Sequence, residues 1–136
     1  MYNEKKVDDP RITYEIVSLD VHGGTSIKPF ASAILKIAGK TEKFADFGDG
    51  STQAVFNTIA KAAKVDLNKF GFSVTQVNDD SPKQSSSSMR FQVEVWSQNN
   101  GSRLVGTAIC PDINIAAGEA FVFVLNHLAC LDMAGG

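Results

Sequence analysis

Residues 47–56 read FGDGSTQAVF and set Gly48, Asp49, Gly50, Ser51 and Thr52 where a strand-like run gives way to a helix-like one. A helix that opens from a glycine-flexed turn presents unpaired backbone N–H groups and a partial positive charge, which suit a carboxylate or phosphate oxygen. Asp49 or Ser51 can instead satisfy those donors as an N-cap, and the cap alone is the simpler reading of this stretch. The stretch is a weak match to a nucleotide loop, because the phosphate-binding lysine is not at the required place and the full G-x-G-x-x-G spacing is missing.

A counterpart lies at CPDIN, where Pro111 bends the chain in from a strand and Asp112 or Asn114 can cap a second helix. Two such junctions brought together by internal pseudo-symmetry would offer donors for an anion and carboxylates for a cation. That is the polarity of a free α-amino acid. The alternative is a pair of routine caps at separate ends of the molecule.

Other chemistry is hard to assemble. His22 precedes Gly23 and Gly24 in an expected turn, and His127 lies in the second helix three residues before Cys130, close enough to share a face. A cysteine deep in an apolar helix has its thiolate disfavoured, so a Cys–His nucleophile is not supported. Cys110 and Cys130 are read as buried free thiols, since a helix starting near Cys110 would separate them by roughly 25 Å, beyond disulfide reach. Two histidines and two cysteines give none of the close spacings of a zinc site, and no metal or cofactor is expected.

The elements that must position the two junctions follow from hydrophobic period. Ile12, Tyr14 and Ile16 alternate with polar residues, and the apolar phase then moves to Val17, Leu19 and Val21, as a strand with a bulge near Ile16 would do. FASAILKIA and KFADF add two strands broken at Gly39. From Ser51 the period becomes helical through Val55, Phe56, Ile59, Ala62 and Ala63, closing at Val65 and Asp66. The order then repeats: strands around Phe70–Val74, Met89–Trp96 and RLVGTAIC precede a helix with Ala117, Ala120, Phe121, Val124, Leu125, Leu128 and Leu131 on one face. Ala116, Val122 and Phe123 lie off that stripe, so this helix should be covered on two sides, either within the monomer or by a second subunit.

The expectation is an α+β domain of two βββα units, 12–66 and 67–133, with a polar loop at 78–88 and a linker at 1–11. At 136 residues one core is possible without staples. A net charge of −2 with scattered Lys and Arg gives no reason to expect nucleic acid, and the absence of a long apolar run or signal peptide argues against a membrane partner and for the cytoplasm.

With both junctions in hand a resemblance can be stated. ADFGDGSTQAVFNTI, 45–59, resembles the G-D-G-P-x-D-A-x-x-x-A-I signature of the C-terminal regulatory domain of α-isopropylmalate synthases. PDINIAAGEAFVFVLNHL, 111–128, resembles that domain's second signature, sharing Asp112, Ile113, Ala116, Ala120, Phe121 in place of Tyr, Leu125 and Asn126. LDVHGGTSIKPFASAILKI resembles its opening pair of strands, and similar domains close citramalate synthases. Ser51 stands where the family usually has proline, Gln53 where an acid is common and Ala117 where serine is usual.

The resemblance implies a non-catalytic domain that forms a homodimer. It implies binding of leucine or isoleucine to inhibit a condensation of acetyl-CoA in a distant (β/α)8 barrel. A barrel takes about 250 residues, so the expectation is either an excised regulatory domain, its first residues a linker remnant, or a free-standing relative. Carried over, the effector site comprises Gly48, Asp49, Gly50, Ser51 and Thr52, with Asp112, Ile113 and Asn114 opposite and Ala54, Val55 and Val74 along the aliphatic part. The remaining alternative is a dimerisation module that holds no ligand.

Overall fold

A computed structural model describes residues 13–23, 28–77, 90–99 and 102–135. The expected polar loop and the N-terminal linker lie outside these. Strands β1 (Tyr14–His22), β2 (Phe30–Ile37) and β3 (Lys40–Phe47) form one antiparallel sheet in sequence order, followed by helix α1 (Ser51–Ala63). Strands β4 (Phe70–Val77), β5 (Arg90–Asn99) and β6 (Ser102–Cys110) form the second, followed by α2 (Ile113–Gly135). The architecture is thus α+β, two βββα units as the periodicity required. A short 3-10 turn, Leu67–Lys69, joins them, capped by Asp66 accepting from the Asn68 N–H.

The bulge falls where the phase shift put it. The pairing of β1 with β2 slips between Ile16 and Ser18, and Val17 is left pointing to solvent at 55% exposure. The inserted residue lets both Ile16 and Leu19 pack on the core, a spacing of three that a regular strand cannot bring to one face.

Helix α1 packs on β2 and β3, and α2 packs on β5, β6 and also β1, with the two helices in mutual contact. The second cover on α2 is therefore supplied largely within the chain. Ala116 and Val122, off the main stripe, are buried, whereas Phe123 stays 48% exposed with its ring tilted on His127. Small residues make the close approach possible. Gly106 on β6 sits under α2, and a Cβ there would lie 2.6 Å from the Ala120 carbonyl oxygen. Phe121, fully buried, meets Phe56 and Phe70 edge-on at 5.6 and 5.1 Å, so one aromatic side chain joins both helices to the second sheet.

Strand β4 is the exception to this cover. Its partners Val93 and Val95 on β5 are buried, so Val74 and Phe72 share their helix-facing side. Yet neither helix lies over β4, and only the Phe56 ring reaches Phe72, at 4.5 Å. Phe72 and Val74 remain 44% and 39% exposed. Among the described residues no helix is long and apolar enough to cross a membrane.

Candidate functional site

The two strand-to-helix junctions meet. Thr52 Oγ1 donates to Asn114 Oδ1 over 3.0 Å, joining the first turn of α1 to the first turn of α2. Beside this bond opens a cleft of about 430 Å³ lined by Ser51, Asp112, Asn114, Asp20 and Ile115, with Leu19, Val21, Gly23 and Pro29 from the neighbouring sheet.

The junctions differ in how their donors are used. At α2, Asp112 is the cap: its Oδ1 accepts from the N–H groups of Asn114 and Ile115 at 2.8 and 3.3 Å. Asn114, the other candidate, is committed to Thr52 instead. At α1 neither Asp49 nor Ser51 caps. The N-cap is Gly50, in extended backbone and with no side-chain bond, and the first intrahelical bond runs from the Ala54 N–H to the Gly50 carbonyl at 2.9 Å. Among the described residues nothing accepts from the N–H groups of Ser51, Thr52 and Gln53.

Ser51 occupies the first helical position, where proline is favoured because its N–H is spare. Serine there adds a donor to the open start. The turn before it is fixed by Gly48: its N–H donates to the Pro29 carbonyl at 3.0 Å, and a Cβ would run into the Ala54 backbone N–H. Gly50 is different, since a Cβ there would meet nothing within 4 Å. Asn57 secures the strand end by donating from Nδ2 to the Phe47 carbonyl at 2.7 Å.

On the Gln53 side of the same helix start lies a smaller recess of about 230 Å³, walled by Phe56, Phe70, Phe72, Phe121, Leu67 and Val95. Gln53 and Asn68 give it its side-chain polar groups, and Gln53 Nε2 donates to Asn57 Oδ1 at 3.1 Å.

The remaining expected residues are placed as follows. Asp49 is exposed beside the open start and Ile113 is half-buried at the head of α2. Ala54 and Val55 have no exposed surface and line neither cavity, because they face the core from α1. Val74 lies on β4, on the surface no helix covers. Sequence reasoning missed Asp20, which alternation alone assigns to a strand surface, and the phenylalanine recess, whose members come from separate elements.

His22 ends β1 rather than sitting in the turn, its ring stacked on Phe30 at 4.7 Å. Cys110 is a free thiol but half-buried, since it is the last residue of an edge strand. The Cys130 side chain is outside the described residues. Among the described residues no group of acidic, histidine or cysteine side chains could hold a metal ion. On β1, burial raises the Tyr14 phenol above its ordinary 10.0.

A family model described as the LeuA allosteric (dimerisation) domain matches residues 1–129. The 2-isopropylmalate synthase of Nitratidesulfovibrio vulgaris is 32% identical over 117 residues, which is 85% of this chain and 22% of that protein. The 2-isopropylmalate synthase of Bacillus velezensis is 33% identical over 133 residues, 95% of this chain and 24% of that protein. That of Polaromonas naphthalenivorans is 28% identical over 128 residues, 94% and 24% respectively. The chain therefore spans about a quarter of the length of the curated relatives it matches.

Proposed function

The chain belongs to the family of LeuA allosteric (dimerisation) domains, and from that premise we propose that it binds a branched-chain amino acid at the start of α1, for feedback inhibition of a 2-isopropylmalate synthase in the cytoplasm. The observation that carries this reading is the uncapped helix start at Gly50 beside a cleft that also holds carboxylates and apolar side chains. The amino-acid carboxylate takes the N–H groups of Ser51, Thr52 and Gln53. Asp20 and Asp112 face the ammonium, and Leu19, Val21 and Ile115 receive the aliphatic chain.

A second placement at the same helix start is favoured by the phenylalanine recess. Its volume falls below the roughly 300–1,000 Å³ of drug-sized sites and suits a short aliphatic side chain. There the amides of Gln53 and Asn68 replace the acids as polar partners. Asp20→Asn removes the response under the first placement and leaves it under the second; Phe72→Ala does the reverse.

The domain also dimerises, through the uncovered face of β4 at Phe72 and Val74, and its partner in the parent enzyme is the catalytic barrel. A thermal-shift screen of leucine, isoleucine, valine and methionine tests the binding. An effector at about a hundred times its Kd stabilises the fold by ~2.7 kcal/mol, and no shift with any of the four sinks the proposal.

A further inference from the structure

Among the described residues, side-chain hydrogen bonds join helix α2 to other elements at two places along its length. Near its start, Asn114 Oδ1 accepts from Thr52 on α1. Three turns on, Asn126 holds the first described residues of the domain. Its Oδ1 accepts from the N–H groups of Thr13 and Tyr14 at 2.8 and 2.7 Å, and its Nδ2 donates to the Tyr14 carbonyl at 2.9 Å. The Thr13 carbonyl in turn accepts from the Ala38 N–H at 2.8 Å, in the turn between β2 and β3. An amide side chain suits this clamp because its acceptor oxygen and its NH2 donors sit on separate atoms of one planar group, so it satisfies two backbone donors and one acceptor on the same strand at once.

Between Asn114 and Asn126 the helix rises about 18 Å at 1.5 Å per residue. Over that span Ala116, Ala117, Ala120, Phe121, Val124 and Leu125 are buried. Packed on both sheets and on α1, this segment has little room to bend, and a close-packed interior passes a displacement on instead of absorbing it. Thr13 and Tyr14 are where residues 1–12 lead into the fold.

We propose that α2 is the tie between the cleft and the point where the chain comes into the domain, with Thr52–Asn114 as its coupling at one end and the Asn126 clamp as its coupling at the other. The regulatory use of this tie rests on the effector reading above; its mechanical existence does not. A ligand on the α1 start that moves Thr52 shifts Asn114, and through α2 alters the hold on Thr13 and Tyr14. Asn126 is a positioning residue in this scheme, remote from the ligand.

Amide hydrogen exchange of the whole chain, read by NMR, tests it. Thr52→Val removes the hydroxyl donor with little change of shape. The bond is worth about a factor of ten at most, so exchange at Thr13 and Tyr14 should accelerate several-fold, up to roughly tenfold, relative to Val93 and Val95, and Thr52→Ser should restore it. Saturating leucine should slow exchange at Thr13 and Tyr14 in the parent protein and not in the valine variant. Unchanged exchange at both residues in Thr52→Val, with acceleration in Asn126→Ala, overturns the tie and leaves Asn126 a local clamp. If Thr52→Val does not fold, Asn114→Ala removes the same bond from its other end and is read in the same way. Failure of leucine and the other three amino acids to bind overturns the effector reading, while the valine variant still decides the tie.

Discussion

Thr52 and Asn114 stand 62 residues apart in the chain and 3.0 Å apart in the fold. Their bond makes neighbours of two helix starts that occupy equivalent places in the two βββα units. The equivalence stops at the donors: Asp112 closes the start of α2, and Gly50 leaves the start of α1 open.

That difference can be reversed. Gly50→Asp installs a side-chain cap where a Cβ meets no neighbour, and the negative charge also complements the helix dipole. Stability should rise by about 0.3–1 kcal/mol, and the response to amino acids should vanish because the donors are occupied. Denaturant unfolding and a thermal-shift series check both; a full leucine response in this variant contradicts the proposed carboxylate site. Ser51→Pro is the companion change. Gly50 already has the extended backbone a following proline requires, so the fold should gain about 0.4–1 kcal/mol and ligand affinity should weaken through loss of one donor.

The contact of α2 with β6 depends on the missing side chain at residue 106. Gly106→Ala places a methyl group against the Ala120 carbonyl and Val124. The expected loss is about 1–3 kcal/mol, measured as a lowered denaturation midpoint with an unchanged slope. A neutral result would mean that α2 rides more loosely on the sheet than its buried face implies.

Burial of Tyr14 predicts a dependence on alkaline pH. Its phenol ionises in the unfolded chain near its ordinary 10.0, while in the folded protein burial raises that value. Above about pH 10 the unfolded state therefore sheds a proton that the native state keeps, and stability falls as pH rises through that region. Below it the contribution is fully present. Tyr14→Phe should flatten this part of the profile, with unfolding measured between pH 8 and about 11; an identical slope in both proteins would assign the effect elsewhere.

Val74→Lys probes the face of β4. A lysine replacing this exposed valine has water available in the monomer but must be desolvated in a dimer built on that face. Dimerisation should weaken by at least about tenfold, or 1.4 kcal/mol, seen as a concentration-dependent mass in light scattering, with the circular dichroism spectrum retained. A dimer of undiminished stability places the contact on another surface.

Much of the fold was legible because its signals are local. The move of the apolar phase from Ile16 to Leu19 located the bulge, and the change of period at Ser51 located α1. The off-stripe residues Ala116 and Val122 announced a second cover on α2. What stayed hidden depends on distant partners. Asn126 carries the family resemblance, but its role needs Tyr14, 112 residues away. Gly50 as the cap in place of Asp49 or Ser51 depends on the backbone angles of the turn, which residue types do not specify. Val74 alternates like a core residue, yet α1 turns over β2 and β3 and leaves it bare.

The regulation proposed for this domain depends on an amino acid binding at the open start of α1. Titration calorimetry of leucine and isoleucine into the parent protein and into Gly50→Asp tests it most directly. Saturable binding to the parent protein and none to the variant is the expected result. Equal binding to both proteins, or no heat from either amino acid with the parent protein, would contradict it.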